Sequence, residues 1–364
     1  MRSLLSFLFV VGAVLTAQAQ WQWSETVQYG FIAPHSVLMQ PLITHHSVGG
    51  SVRMLKRNTN HAYSKFYHNP YQGIDFTFIQ TGNSRQLGNQ YSLNFWNQFP
   101  VKRGGGKSKG IHKYVHLGIG IGYTTKKWDA QTNFQAPVLG SHLNACLSLG
   151  YEQRLFEWKE IQVNAGIRVT HFSNGAFQLP NLGTNTLALT LNVLPVYHAK
   201  AIKDSIEVLA IYRPLSAMKH YQMSIANGWK EVGQPGEAKH PIWTLSASYD
   251  FKHKNEKHGW ALNADVMYNS ALYVQMNNRD GVRPSSTEIV QLGVGPTFIQ
   301  YFGNTQLRIE NGFYVRDKWA ETTPVYQRVT LRYAPKDRNF FVQFGLKTHF
   351  AKADHGEIGM GYRF

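Results

Sequence analysis

The chain has 364 residues, a formal net charge of +16 and a single cysteine. One cysteine rules out a disulfide framework. A mean hydropathy of −0.32, with no apolar run long enough to span a bilayer as a helix, rules out helical membrane spans.

The first residues read as an export signal. Arg2 precedes an apolar run from Leu4 to Leu15, and Ala17-Gln18-Ala19 has the form of a cleavage site, so residues 1–19 are expected to be a signal peptide. Gln20 rather than Cys follows it, which argues against a lipoprotein. In an exported protein, the excess of 37 Lys and Arg over 21 Asp and Glu suits anionic lipid headgroups or phosphorylated glycolipid, not nucleic acid.

From there to the end the pattern has a period of two. Val27, Tyr29 and Phe31 begin it, and Ile74, Phe76 and Phe78 follow, then Tyr91, Leu93 and Phe95. Val115, Leu117, Ile119, Ile121 and Tyr123 alternate with His116, Gly118, Gly120 and Gly122, where small inward residues permit close interior packing. Cys146 falls in another such segment and reads as a small buried residue. The second half continues with Trp243, Leu245 and Ala247, Trp260, Leu262 and Ala264, Val329 and Leu331, and Phe340, Val342 and Phe344. At the far end Ile358, Met360, Tyr362 and Phe364 alternate with Glu357, Gly359, Gly361 and Arg363, like the closing strand of a bacterial outer-membrane barrel. One face apolar and rich in aromatics, the other small or polar, is the signature of a transmembrane antiparallel β-barrel with a polar interior.

The expected fold is therefore all-β. With no linker-like break, residues 20–364 read as a single outer-membrane barrel of about 16 strands, or 12 to 16 because 46–56, 204–214 and 219–228 alternate poorly. Short turns at Glu157 to Glu160, Gly303-Asn304 and Pro335 to Asp337 are periplasmic on this reading. Longer loops near 125–140, 173–184, 229–241 and 270–286 are extracellular.

Two neighbouring segments carry chemistry. Val163, Ala165, Ile167 and Val169 share the apolar face of a strand opposite Gln162, Asn164, Arg168 and Thr170, and His171 and Ser173 fall on that apolar face. After a loop through Pro180 and Asn181, Asn185 aligns with Leu187, Leu189, Leu191 and Val193. From Val163 to His171 a tilted strand climbs about 20 Å of membrane height, which puts His171 and Ser173 at the outer rim. A nucleophile, a base and an amide on the next strand then share one lipid-facing plane, and a hydrolase there meets acyl chains without extracting them from the bilayer.

The run His171-Phe172-Ser173-Asn174-Gly175, continuing to Pro180-Asn181-Leu182-Gly183, resembles the motif of the PagL-type lipid A 3-O-deacylases, or acyloxyacyl hydrolases. The resemblance is strongest from about Gly118 to Val193 and extends back to Tyr29, so 29–193 is the PagL-like region and 194–364 an extension without counterpart in those small eight-stranded enzymes. It implies Ser173 as nucleophile and His171 as base, with Asn174, Gly175 and Asn181 supplying an oxyanion hole. The family's Glu aligns with Asn185. An Asn orients an imidazole but does not stabilise imidazolium, and the comparable change in a serine protease costs about 10⁴ in rate. A more distant acid, Glu152 or Asp129, is the alternative third member.

The reading is an outer-membrane carboxylic ester hydrolase, without cofactor or metal, acting on lipid A, lipopolysaccharide or another acylated membrane lipid. The rival is a non-catalytic barrel serving as pore or scaffold, since about 16 strands leave an aqueous lumen. Oligomeric state stays open. Gly104-Gly105-Gly106-Lys107-Ser108 echoes a phosphate loop, but Val101 stands where its first Gly belongs. His45-His46 lacks an identifiable third metal ligand.

Overall fold

The computed structural model describes residues 21–58, 62–101, 113–195, 220–251, 257–319, 324–335, 337–350 and 352–364. The expected signal peptide, the glycine-rich run at 104–108 and the stretch at 204–214 lie outside the described residues.

Strand-forming alternation yields 16 strands among the described residues. The first eight are β1 (Trp21–Ile32), β2 (Ser47–Arg57), β3 (Tyr71–Gln80), β4 (Asn89–Pro100), β5 (Lys113–Thr124), β6 (Leu143–Trp158), β7 (Ile161–Ser173) and β8 (Thr184–Pro195). The second eight are β9 (Tyr221–Glu231), β10 (Lys239–Asp250), β11 (His258–Asn269), β12 (Val290–Phe302), β13 (Thr305–Arg316), β14 (Val325–Tyr333), β15 (Phe340–His349) and β16 (Lys352–Arg363). The strand count agrees with the sequence, but the closure does not. β8 returns to pair with β1, from Glu25 opposite Val193 to Ile32 opposite Thr186. β16 likewise returns to β9, with Ile358 opposite Asn227. The expected single barrel of about 16 strands is therefore corrected to two closed antiparallel barrels of eight. Alternation dictates which face a residue takes and is silent on which strand closes the ring.

Closure at eight changes what the interior is. Eight strands bring opposite walls close enough for side chains to fill the space. In the first barrel Arg53, Trp96, His116, Glu152 and Arg168 are all buried. Arg53 pairs with Asp75 at 3.0 Å and Glu152 at 3.3 Å, and its guanidinium lies 4.2 Å from the Trp96 ring centre. Gly118 makes that packing possible, because a Cβ there would stand 2.8 Å from Trp96 Cε3. In the second barrel Arg328 bridges Asp265, Glu310 and Glu357 at 2.6, 3.0 and 3.0 Å, and Asp354 takes Lys230 and Lys347 at 2.6 and 3.0 Å. Ions removed from water are retained only when paired in this way.

The outer faces are the reverse. Val27, Tyr29, Phe31, Phe76, Phe95, Ile121, Leu189, Trp243, Leu262 and Ile358 are all exposed, the inside-out arrangement of a barrel solvated by lipid. No helix among the described residues is long and apolar enough to cross a membrane. The loop expected at 270–286 contains a helix instead, α1 (Ala271–Asp280), seated by Leu272 and Met276 against Ile289.

One end of the first barrel is closed by an apolar plug. Met39 and Leu42 from the β1–β2 loop, Leu87 from β3–β4, and Ala136, Val138 and Leu139 from β5–β6 pack with Ile32, Ile79, Cys146 and Phe172. This plug is the foundation of the site.

Candidate active site

Local geometry at the end of β7 follows from the plug. Phe172 points inward and is 1% exposed, nested against Gly122, where a Cβ would lie 2.4 Å from its ring. With Phe172 held inside, the pleat turns His171 and Ser173 outward. Both are half-buried. The β7–β8 loop is stitched to its neighbour by Gly140 N–H to Pro180 O at 2.7 Å and Gly183 N–H to Val138 O at 3.0 Å. Gly175 and Gly183 have φ of +64° and +77°, a left-handed conformation costly for residues with a Cβ.

β7 and β8 pair with His171 directly opposite Asn185. Asn185 Oδ1 lies 2.7 Å from His171 Nδ1. The other side of the amide, Nδ2, is 3.1 Å from His35 Nδ1, and His35 Nε2 is 2.7 Å from Leu182 O. His35, on the β1–β2 loop, has no counterpart in the sequence reading. It is brought in by β1 pairing with β8 and by Ala33 N–H donating to Asn185 O at 2.7 Å, and no sequence pattern signals a contact 150 residues apart.

Ser173 Oγ accepts from Asn181 Nδ2 at 3.0 Å and from the Gly175 amide at 3.2 Å. Asn181 is oriented by its Oδ1, which accepts the Asn174 amide at 3.0 Å. The Asn174 side chain is engaged elsewhere: Nδ2 donates to Ser141 Oγ and to Gln178 O, both at 2.8 Å. Asn181 and the Gly175 amide are thus the donors beside the hydroxyl, and Asn174 shapes the loop.

Neither alternative acid is near. Glu152 sits inside the first barrel with Arg53 and with Asn192, which donates to it at 3.0 Å. Asp129 caps a turn in the β5–β6 loop, where hydrogen bonds from the Thr132 backbone and hydroxyl and from the Gln131 amide hold its carboxyl below the usual range. His45 and His46 are likewise structural: His46 stacks on Tyr29 at 5.1 Å, and His45 Nδ1 is 3.2 Å from Gly82 O.

The second barrel reaches this loop. Glu231, at the end of β9, is 3% exposed. Its backbone N–H donates to Ala176 O at 3.1 Å, while its carboxylate accepts the Leu179 amide and, at 2.7 Å, the Gly236 amide. Lys239 lies over the Phe177 ring at 4.8 Å.

Residues 55–193 match the family model described as lipid A 3-O-deacylase (PagL), and residues 219–364 match the model described as the C-terminal domain of acyloxyacyl hydrolase. The extension therefore has a family counterpart of its own. A search of curated proteins found no match. Among solved structures, a double and a triple mutant of the porin of Rhodopseudomonas blastica align at 9% identity over 94% of this chain and 99% of theirs, with a TM-score of 0.18. With both barrels matched, the chain belongs to the family of PagL lipid A deacylases and acyloxyacyl hydrolases.

Proposed function

We propose that the protein is a serine-type carboxylic ester hydrolase of the outer membrane that removes an ester-linked acyl chain from lipid A or a related acylated lipid. Residues 1–19 serve as its export signal, the first barrel carries the chemistry, and the loops holding Ser173 face the exterior. In this reading His171 Nε2 takes the Ser173 proton as Oγ attacks the ester carbonyl carbon. The Gly175 N–H and Asn181 Nδ2 stabilise the resulting oxyanion. His171 then returns the proton to the departing alkoxide, and water cleaves the acyl-enzyme by the same path. No step calls for a metal or cofactor.

The observation that carries the reading is the placement of a serine, a histidine and two N–H donors on the outward side of a barrel whose neighbouring surface is apolar. Ile167, Val169, Leu187 and Leu189 are exposed below them, so an acyl chain in the outer leaflet lies alongside the hydroxyl. The pore reading is disfavoured by interiors filled with paired, buried ions. Ser173→Ala should leave both barrels folded and lower ester cleavage at least about 10⁴-fold. Mass spectra of lipid A from cells expressing each form check this, and identical acyl content in the two would sink the proposal.

A further inference from the structure

We propose that His35 is a positioning residue that fixes the orientation of the Asn185 amide, and thereby the tautomer of His171, so that an amide serves where the resemblance implies a carboxylate. The inference rests on the hydrolase reading above and extends it to a residue outside the motif.

A carboxylate presents acceptors on both sides, whereas an amide presents an acceptor on one and a donor on the other. An Asn beside a catalytic imidazole therefore works in only one of its two orientations. With Oδ1 toward His171, Nδ1 carries the proton and Nε2 keeps the lone pair that a base needs. With Nδ2 toward His171, the proton moves to Nε2 and the base is lost.

The hydrogen-bond chain selects between them from a fixed point. Leu182 O is a backbone carbonyl and only accepts, so His35 Nε2, 2.7 Å away, carries a proton. In a neutral imidazole Nδ1 is then an acceptor, and the Asn185 atom 3.1 Å from it must be the NH₂ group. Oδ1 is left facing His171 Nδ1 at 2.7 Å, which must be N–H. Each link is fixed by the one before it, and the chain ends with the proton of His171 on Nδ1 and its lone pair on Nε2. Two further contacts set the relay in place: the Ala33 amide donates to Asn185 O at 2.7 Å two residues before His35, and the Gly183 amide, next to Leu182, is held by Val138 O at 3.0 Å.

The test is a mutant cycle on the full-length protein in detergent micelles, with a short-chain ester as substrate and Ser173→Ala as background. His35→Ala should lower kcat about 2- to 10-fold, the worth of one neutral hydrogen bond, with KM little changed. His35→Gln should recover most of that loss, because its amide can donate to Leu182 O and accept from Asn185. In an Asn185→Glu background the side chain no longer has a wrong orientation, so His35→Ala should cost nothing. A loss of equal size in both backgrounds would mean that His35 only anchors its loop, and the proposal falls. Independently of turnover, ¹⁵N spectra of histidine-labelled protein should show His171 as the Nδ1–H tautomer, turning into a mixture in His35→Ala. An Nε2–H tautomer in the wild type, or no change on substitution, overturns the proposal. Absence of any Ser173-dependent cleavage fails the hydrolase reading instead, and the tautomer measurement still decides the role of His35.

Discussion

Asn185 presents an amide where the resemblance implies a carboxylate on a side chain one methylene longer, and the consequence can be measured. The amide holds His171 at 2.7 Å but, on the proposed mechanism, carries no charge to stabilise the imidazolium of the transition state. Asn185→Glu restores that charge and should raise kcat on a short-chain ester. The ceiling is about 10⁴-fold, and the gain is reduced because the His35 lone pair, 3.1 Å from the amide nitrogen, would then face a carboxylate oxygen. Combining Asn185→Glu with His35→Ala removes that repulsion and should give the faster enzyme. Lower activity in Asn185→Glu than in Asn185→Ala would exclude residue 185 as the orienter. Glu152, enclosed with Arg53, should affect stability when changed to Gln and leave the pH profile of cleavage unmoved. His171, Ser173 and Asn185 were legible in the sequence because two short segments hold them and a period of two assigns their faces. His35 was not, because only the closing pair of β1 with β8 brings it there.

β7 is the element that converts packing into chemistry. Its inward residues Arg168, Thr170 and Phe172 are buried and its outward Ile167 and Val169 exposed, as alternation requires, and the last inward residue fixes where the last two outward ones point. Phe172→Leu leaves part of its slot against Gly122 and Cys146 empty. It should destabilise the first barrel by about 1–2 kcal/mol, read as a lower thermal midpoint in micelles. It should also reduce kcat more than it raises KM, because His171 and Ser173 lose their fixed spacing while the lipid-facing surface is unchanged. An unchanged kcat with the lower midpoint would show that the strand end is set by its loop instead. The strands themselves were readable for the same reason: every second residue meets lipid or interior, and the two environments select opposite chemistry. Even the poorly alternating stretches at 46–56 and 219–228 are largely β2 and β9, where Gly49 and Gly50 or Asn227 and Gly228 blur the pattern without breaking the ladder. α1 is hidden in the sequence because its surroundings read as a loop, and its buried residues Ala271, Leu272 and Met276 span too short a stretch to show a helical period.

At the scale of the whole molecule, two barrels of eight meet beside one candidate site. The sequence repeats a related run at the seventh strand of each: Gly166-Ile167-Arg168-Val169-Thr170-His171-Phe172-Ser173 in β7, and Gly345-Leu346-Lys347-Thr348-His349, the end of β15, followed in the sequence by Phe350 and Ala351. The second is one residue shorter and has Ala for Ser. A one-residue change in a strand moves every later side chain to the other face, and His349 accordingly meets Tyr314 at 2.9 Å, whose ring packs on the buried Tyr326. In that run the second barrel has Ala in place of Ser and its His349 turns to Tyr314, so on the proposed mechanism this run acts only through contact with the first barrel. The barrels meet at both ends. At the turn end Tyr67 donates to Tyr301 O at 2.7 Å and its ring lies 5.4 Å from Phe302. At the loop end Glu231 accepts the Leu179 amide and its own amide donates to Ala176 O, within the segment that runs from Ser173 to Asn181. Hydrogen bonds to a buried carboxylate are worth about 1.5–3 kcal/mol, enough to hold that loop in one conformation. Glu231→Gln replaces one acceptor oxygen with a donor and leaves a backbone N–H at Leu179 or Gly236 facing an NH₂ group. It should lower kcat about 10- to 100-fold by that energy, whereas Glu237→Gln, an equal loss of charge on the exposed neighbouring loop, should change little. If both variants keep wild-type kcat and only the thermal midpoint of Glu231→Gln falls, the second barrel stabilises the first without shaping its site.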